Sequence, residues 1–163
     1  MTSVFRIPRF RSGSGGSTPR RIAVALVDVL SPAQRRKNMQ RIRSKDTQPE
    51  LRVRRLIHSL GYRYRLHARE LPGRPDLVFR TRRKAIFVHG CYWHVHSCAL
   101  GRVVPATNAE FWRAKRQGNV DRDVRNLTAL RDAGWEALVI WQCEISDVDT
   151  LTQRIREFLE DVR

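Results

Sequence analysis

Three cysteines and three clustered histidines set the tightest limit on how this chain folds. The stretch FVHGCYWHVHSCAL, Phe87 to Leu100, holds His89, His94 and His96, Cys91 and Cys98, with Tyr92 and Trp93 between them. Cys143, the remaining cysteine, stands far downstream at the end of another apolar segment. Three thiolates and one imidazole (Cys91, His96, Cys98, Cys143) complete a tetrahedral zinc site with no open position, which is the structural kind. The loop from Gly90 to Thr107 has few apolar residues to anchor it, so metal binding would supply its ordering free energy. Such a site requires the two strands that end near Cys91 and Cys143 to lie side by side. The spacing Cys-x4-His-x-Cys matches no common zinc-finger pattern, and unrelated buried cysteines are the competing reading. An odd number of cysteines makes no disulfide framework, and use of all three in one cluster favours the metal.

The rest of the chain supplies elements to build around that cluster. Residues 1–26 contain RSGSGGSTPRR and no hydrophobic period, which predicts a disordered basic extension before a domain over residues 27–163. Ser31 and Pro32 open a very basic first helix, SPAQRRKNMQRIRSK, carrying Arg35, Arg36 and Lys37. Thr47 and Glu50 form a capping box for a second helix that ends at Gly61, with Leu51, Leu56, Ile57 and Leu60 on its apolar side. DLVFR (Asp76–Arg80) and KAIFVHG (Lys84–Gly90) predict a hairpin. Thr107 and Glu110 cap a helical region expected to break near Gly118 and stop at Gly134. WEALVIWQC (Trp135–Cys143) predicts a buried strand, and Ser146 starts a last helix with Leu151, Ile155, Phe158 and Leu159 on one face. The order α-α-β-β-α-β-α predicts an α/β fold, a mixed sheet flanked by helices.

Charge narrows the function. Lys plus Arg outnumber Asp plus Glu by 32 to 16, a formal net charge of +16 spread along the chain, so a polyanion such as nucleic acid is the expected partner. A basic ribosome-associated protein is the bland alternative. No run of about 18 apolar residues exists, so no membrane span is expected. RIAVALVDVL (Arg21–Leu30) is short, carries Asp28 and lacks a small-residue cleavage site, so a cytoplasmic, nucleoid-associated address is expected rather than export.

Chemistry enters at Asp76. Asp is scarce in strands, and one fixed at a strand start by Pro75 suggests a hard oxygen ligand for Mg²⁺. His89 and His94 bracket a zinc ligand, which suggests acid–base chemistry on a phosphodiester. Adjacent Tyr92 and Trp93 on a metal-stiffened loop, expected to be exposed, suit a wedge that unstacks base pairs.

The segments NMQRIRSKDTQPE, LPGRPDLVF, FVHGCYWHVHSC, VPATNAEFW, NVDRD and GWEALVIWQCE occur together in this order. Their combination resembles the very short patch repair (Vsr) DNA mismatch endonuclease family, from about Asp28 to Arg163. The resemblance implies a restriction-endonuclease-like core. It implies nicking of one strand 5′ to the T of a T·G mismatch left by deaminated 5-methylcytosine. Asp76 would be the essential Mg²⁺ ligand, and Glu50 a helper carboxylate for the water of that metal. His94 would be the principal catalytic histidine, Asp123 the acid that orients it, and His89 a supporting histidine near the phosphate. Cys91, His96, Cys98 and Cys143 would hold structural zinc, in agreement with the reading above. Tyr92 and Trp93 would enter the duplex with Met39 of the first helix, whose cations would bind phosphates. Val88 stands where many members have threonine, so it would offer a metal only its backbone carbonyl. The family further implies help from the mismatch-repair protein MutL, and the absence of a spare apolar face suggests a monomer. The rival reading is a catalytically inactive, zinc-stabilised DNA-binding protein.

Overall fold

The computed structural model describes residues 45–161 together with 31, 33, 34 and 37. The predicted extension and most of the first helix, including Arg35, Arg36 and Met39, lie outside the described residues; Lys37 is exposed. Helix α1 spans Gln48–Ser59, strand β1 Arg65–Leu66, β2 Leu77–Phe79 and β3 Lys84–His89. Helices α2 (Ala99–Arg102) and α3 (Ala109–Asp132), strand β4 (Glu136–Trp141) and helix α4 (Val148–Glu160) follow.

Local chemistry accounts for most boundaries. The Thr47 side chain accepts from the Glu50 N–H and the Glu50 carboxylate accepts from the Thr47 N–H, so the capping box starts α1 as expected. Gly61 ends it at φ +89°, a left-handed conformation natural to glycine. The β2–β3 hairpin also forms, antiparallel, through a 3₁₀ turn at Arg80–Arg82.

Among the described residues the sheet has four strands in the order β1-β2-β3-β4, with β3 and β4 parallel. It is a mixed α/β arrangement. The parallel register pairs Val88 with Ile140 and His89 with Trp141, so the strand ends before Cys91 and Cys143 meet. Leu77, Phe79, Ile86 and Ile140 pack with Val53 and Ile57 of α1 and Leu151, Ile155 and Leu159 of α4. The alternate residues Val78, Ala85 and Phe87 are buried on the other face, where α3 contributes Leu130. His89 shares that face and so points towards α3. None of the described helices is long and apolar enough to cross a membrane.

Five expectations need correction, the first at the last helix, which is capped by Asp147, whose side chain accepts from the Thr150 N–H, and not by Ser146. Helix α3 runs through Gly118 without a break over 24 residues, because a single glycine costs a helix only about 1 kcal/mol. Its cap is Asn108 at φ +55°, not Thr107 with Glu110. Strand β4 stops at Trp141, and only its Ile140 is fully buried because β4 lies at the sheet edge; Cys143 sits in the following 3₁₀ turn. On α1 the central core residue is Val53, while Leu51 is only half-buried.

Candidate active site

The loop after β3 curls by consecutive turns. The Trp93 and His94 N–H groups donate to the Gly90 carbonyl, and the His96 N–H donates to the Cys91 carbonyl at 3.0 Å. This brings Cys91, His96 and Cys98 onto the 3₁₀ turn that carries Cys143. One ligand atom from each lies within 4.8 Å of the others, and Cys143 Sγ is 3.4 Å from His96 Nδ1. Sulfurs about 2.3 Å from a tetrahedral zinc stand roughly 3.8 Å apart, so this cluster fits one ion. The His96 hydrogen bond, above all, holds the Cys98 thiol down at about 6. Burial, then the neighbouring Cys91 and Cys98 thiols, push Cys143 up to about 12. Three touching thiols cannot all ionise without a cation among them, which is what zinc would supply.

Gly101 closes this loop. A Cβ there would stand 1.9 Å from the His96 carbonyl oxygen, so Gly101→Ala must push the Cys/His loop apart. A cost of about 1–3 kcal/mol is expected, read by urea denaturation with zinc content measured in parallel.

Beside this centre lies a cleft of about 350 Å³ lined by Asp76, Val88, His89, His94 and Asp123. Lys45, Arg69, Arg74 and Arg122 line it too, a positive rim suited to a phosphate backbone. The Asp76 carboxylate is half-buried and accepts from the Val88 N–H at 2.7 Å. Burial pushes its pKa up to about 7; the Val88 N–H opposes this and the Glu50 carboxylate adds to it. A hard oxygen anion so disfavoured is a fit for a divalent cation, and Mg²⁺ is the ion such ligands suit.

That shift has a consequence for stability. With a folded pKa above the unfolded value, Asp76 holds extra protons in the folded state between roughly pH 4 and 7. Its contribution therefore falls as pH rises through that window, and a bound cation offsets the loss. Thermal melts should accordingly show Mg²⁺ stabilising the protein more at pH 8 than at pH 5, and the difference should vanish in Asp76→Asn.

His94 and Asp123 form the other half of the cleft. The His94 Nδ1 lies in a short hydrogen bond with Asp123 Oδ2, the carboxylate being delivered by α3. A carboxylate only accepts, so Nδ1 carries the proton and Nε2 keeps a lone pair. His89 stacks on His94, with ring centroids 3.9 Å apart and planes within 11°. Burial first, then His94, lowers the His89 pKa to about 4, so that ring is neutral near pH 7. Glu50 lies behind Asp76, near enough for the two carboxyl groups to share a hydrogen bond. It is buried at the start of α1, accepts from Arg54 at 2.5 Å, and is not among the cleft-lining residues.

Tyr92 and Trp93 are half-buried rather than exposed, because they join a larger aromatic group. Trp93 and Tyr92 meet edge-on with centroids 5.0 Å apart, and Trp112 lies 6.0 Å from Trp93. Phe111, 58% exposed, extends the group outward. In the sequence Phe111 and Trp112 stand out only as the end of VPATNAEFW, with no role of their own. Their signal was two adjacent aromatics in the first turn of the long helix that follows the Cys/His loop.

Residues 27–100 match the model of a family described as DNA mismatch endonuclease Vsr. The chain is 49% identical over 135 residues to the type II nicking enzyme V.XorIIP of Xanthomonas oryzae pv. oryzae, covering 83% of this chain and 98% of that protein. It is 42% identical over 137 residues to the DNA mismatch endonuclease Vsr of Escherichia coli, covering 83% and 87% respectively. Among solved structures, the catalytic domain of the homing endonuclease I-Bth0305I is similar at a TM-score of 0.49 and 26% identity, covering 69% of this chain and 94% of that one.

Proposed function

The chain belongs to the DNA mismatch endonuclease Vsr family and is a DNA endonuclease, and on that premise we propose that it nicks one strand 5′ to the T of a T·G mismatch by Mg²⁺-dependent hydrolysis. The observation that carries the proposal is the shared cleft. Asp76 and the His94–Asp123 pair line one cavity with a cationic rim.

In this mechanism Asp123 holds the His94 ring with its proton on Nδ1. The Nε2 lone pair takes a proton from a water molecule as the water oxygen bonds to phosphorus. The bond from phosphorus to the 3′ oxygen breaks, and that oxygen takes a proton from solvent. His89, neutral and stacked, fixes the His94 plane and adds no charge to the cleft. Asp76 and the Val88 carbonyl would hold Mg²⁺, which supplies Lewis-acid stabilisation of charge on the phosphate. The Tyr92, Trp93 and Trp112 rings part bases, and a T·G pair yields to such a wedge more readily than a matched pair. Zinc held by Cys91, His96, Cys98 and Cys143 would stiffen the loop that carries both the wedge and His94.

The test is incubation with Mg²⁺ and duplexes that differ only in T·G against C·G, resolved by strand. Cutting of the T-bearing strand alone supports the reading. Tight binding without cutting supports the rival, a zinc-stabilised DNA-binding protein. A further expectation concerns the aromatic group: Trp112→Ala should weaken T·G duplex cutting about tenfold to a hundredfold, from roughly 1–3 kcal/mol of lost base stacking. Its binding to matched duplex should barely change, as read by fluorescence anisotropy.

A further inference from the structure

We propose that His67 is a further substrate-contacting residue, whose ring, locked in one tautomer, donates a hydrogen bond from Nδ1 to an oxygen of the phosphodiester in the cleft. The proposal rests on the nuclease reading above.

Position is the first argument. His67 lines the same cleft as Asp76 and His94. Its backbone N–H donates to the Asp76 carbonyl at 3.4 Å, and the neighbouring pair Leu66–Leu77 is in register, so β1 carries His67 alongside Asp76.

The tautomer follows from Arg54. An Arg54 guanidinium nitrogen, Nη2, lies 2.9 Å from His67 Nε2. A guanidinium has only donors, so Nε2 accepts and the ring proton resides on Nδ1. Arg54 is itself fixed, with Nη1 2.5 Å from Asp46 and Nη2 2.5 Å from Glu50. Contacts of His67 Nε2 with Glu50 at 3.7 Å and Asp46 at 4.0 Å would count as ion pairs only if both ring nitrogens carried protons. The Arg54 contact is closer and decides against that. Asp46, Glu50 and His67 also have the spacing of a metal site. The Arg54 guanidinium already stands among them, so the cation there is the protein's own.

Backbone conformation is the third argument. His67 has φ +47°, a left-handed geometry that a residue with a β-carbon adopts at a cost. Strain of this kind gathers where a side chain must be aimed. A neutral N–H donor suits charge that grows on phosphoryl oxygens during attack, and no proton leaves the ring. Sequence reading passed over His67 because RLHARELPGRPD sets it nine positions before Asp76, in a segment without strand or helix period.

Two measurements on the full chain test this. In protein labelled with ¹⁵N-histidine, with His67→Gln identifying the signal, His67 should carry its proton on Nδ1; a proton on Nε2 overturns the proposal. In single-turnover cutting of the T·G duplex, His67→Ala should lower the rate constant about a hundredfold, as for a lost oxyanion donor, with duplex affinity and zinc content unchanged. His67→Gln keeps an N–H donor and should recover to within about tenfold of wild type. If His67→Ala cuts as fast as wild type, or His67→Gln is as slow as His67→Ala, this assignment fails alone. If wild type does not cut, the nuclease reading fails and takes the assignment with it.

Discussion

Asp76→Asn will cut the T·G duplex about a thousandfold or more slowly than wild type, while folding and binding DNA as wild type does. The substitution keeps the shape of the side chain and an oxygen for the Val88 N–H, now accepted at 2.7 Å by the carboxylate. It removes the anion. Metal stabilisation of charge at a phosphoryl oxygen is worth several kcal/mol, and about 1.4 kcal/mol is a factor of ten in rate. Folding should not suffer, because burial already disfavours the ionised form of Asp76 and raises its pKa to about 7. The loss must therefore appear in the rate constant and not in the melting temperature. Single-turnover kinetics with saturating protein, beside a thermal melt without added Mg²⁺, separate the two. A variant that retains a tenth of wild-type cutting would remove Asp76 from the chemistry.

Cys143→Ser, by contrast, should damage structure and activity together. Cys143 joins three ligands that come from one loop, and it alone ties that loop to the turn after β4. Structural zinc in small domains contributes about 10–16 kcal/mol of apparent binding free energy. Only part of that reports on this fold, since the sheet has its own buried core with the helices Gln48–Ser59 and Val148–Glu160. A loss of several kcal/mol still lowers the melting temperature by about 10 °C or more in a chain of this size. Cutting falls as well, because His94 stands between Cys91 and His96 on the loop that loosens. Elemental analysis should find about one zinc per wild-type chain and little in the variant. Equal zinc and equal melting temperatures would contradict the four-ligand centre.

How far the sequence foretold these sites depended on the kind of signal. The β2–β3 hairpin was legible because apolar runs flank a basic turn, and the α1 capping box because Thr47 and Glu50 stand at fixed spacing. The Cys/His cluster was legible because its members are rare residues and because two strand ends must meet. Strand β1 was not, since two exposed residues leave no period to detect. The continuity of α3 through Gly118 was hidden because local propensity argues for a break, and only the flanking helical turns outweigh it. The edge position of β4 was hidden too, since an apolar run does not say whether both faces are covered. Within the site, Asp76, His94 and Asp123 line one cleft. His67, Phe111 and Trp112 escaped because their surroundings come from neighbours distant in sequence, namely Arg54 for the first and Trp93 for the last.

The account stands on Asp76 and His94 working on the same bond from one cavity. A double-mutant cycle measures this most directly, using single-turnover T·G cutting by wild type, Asp76→Asn, His94→Ala and the double variant. Groups that act as a unit lose little more together than the worse single loss, so the double variant should cut within a few-fold of the slower single. Losses that multiply, or undiminished cutting by either single variant, would show that the two groups do not share a reaction.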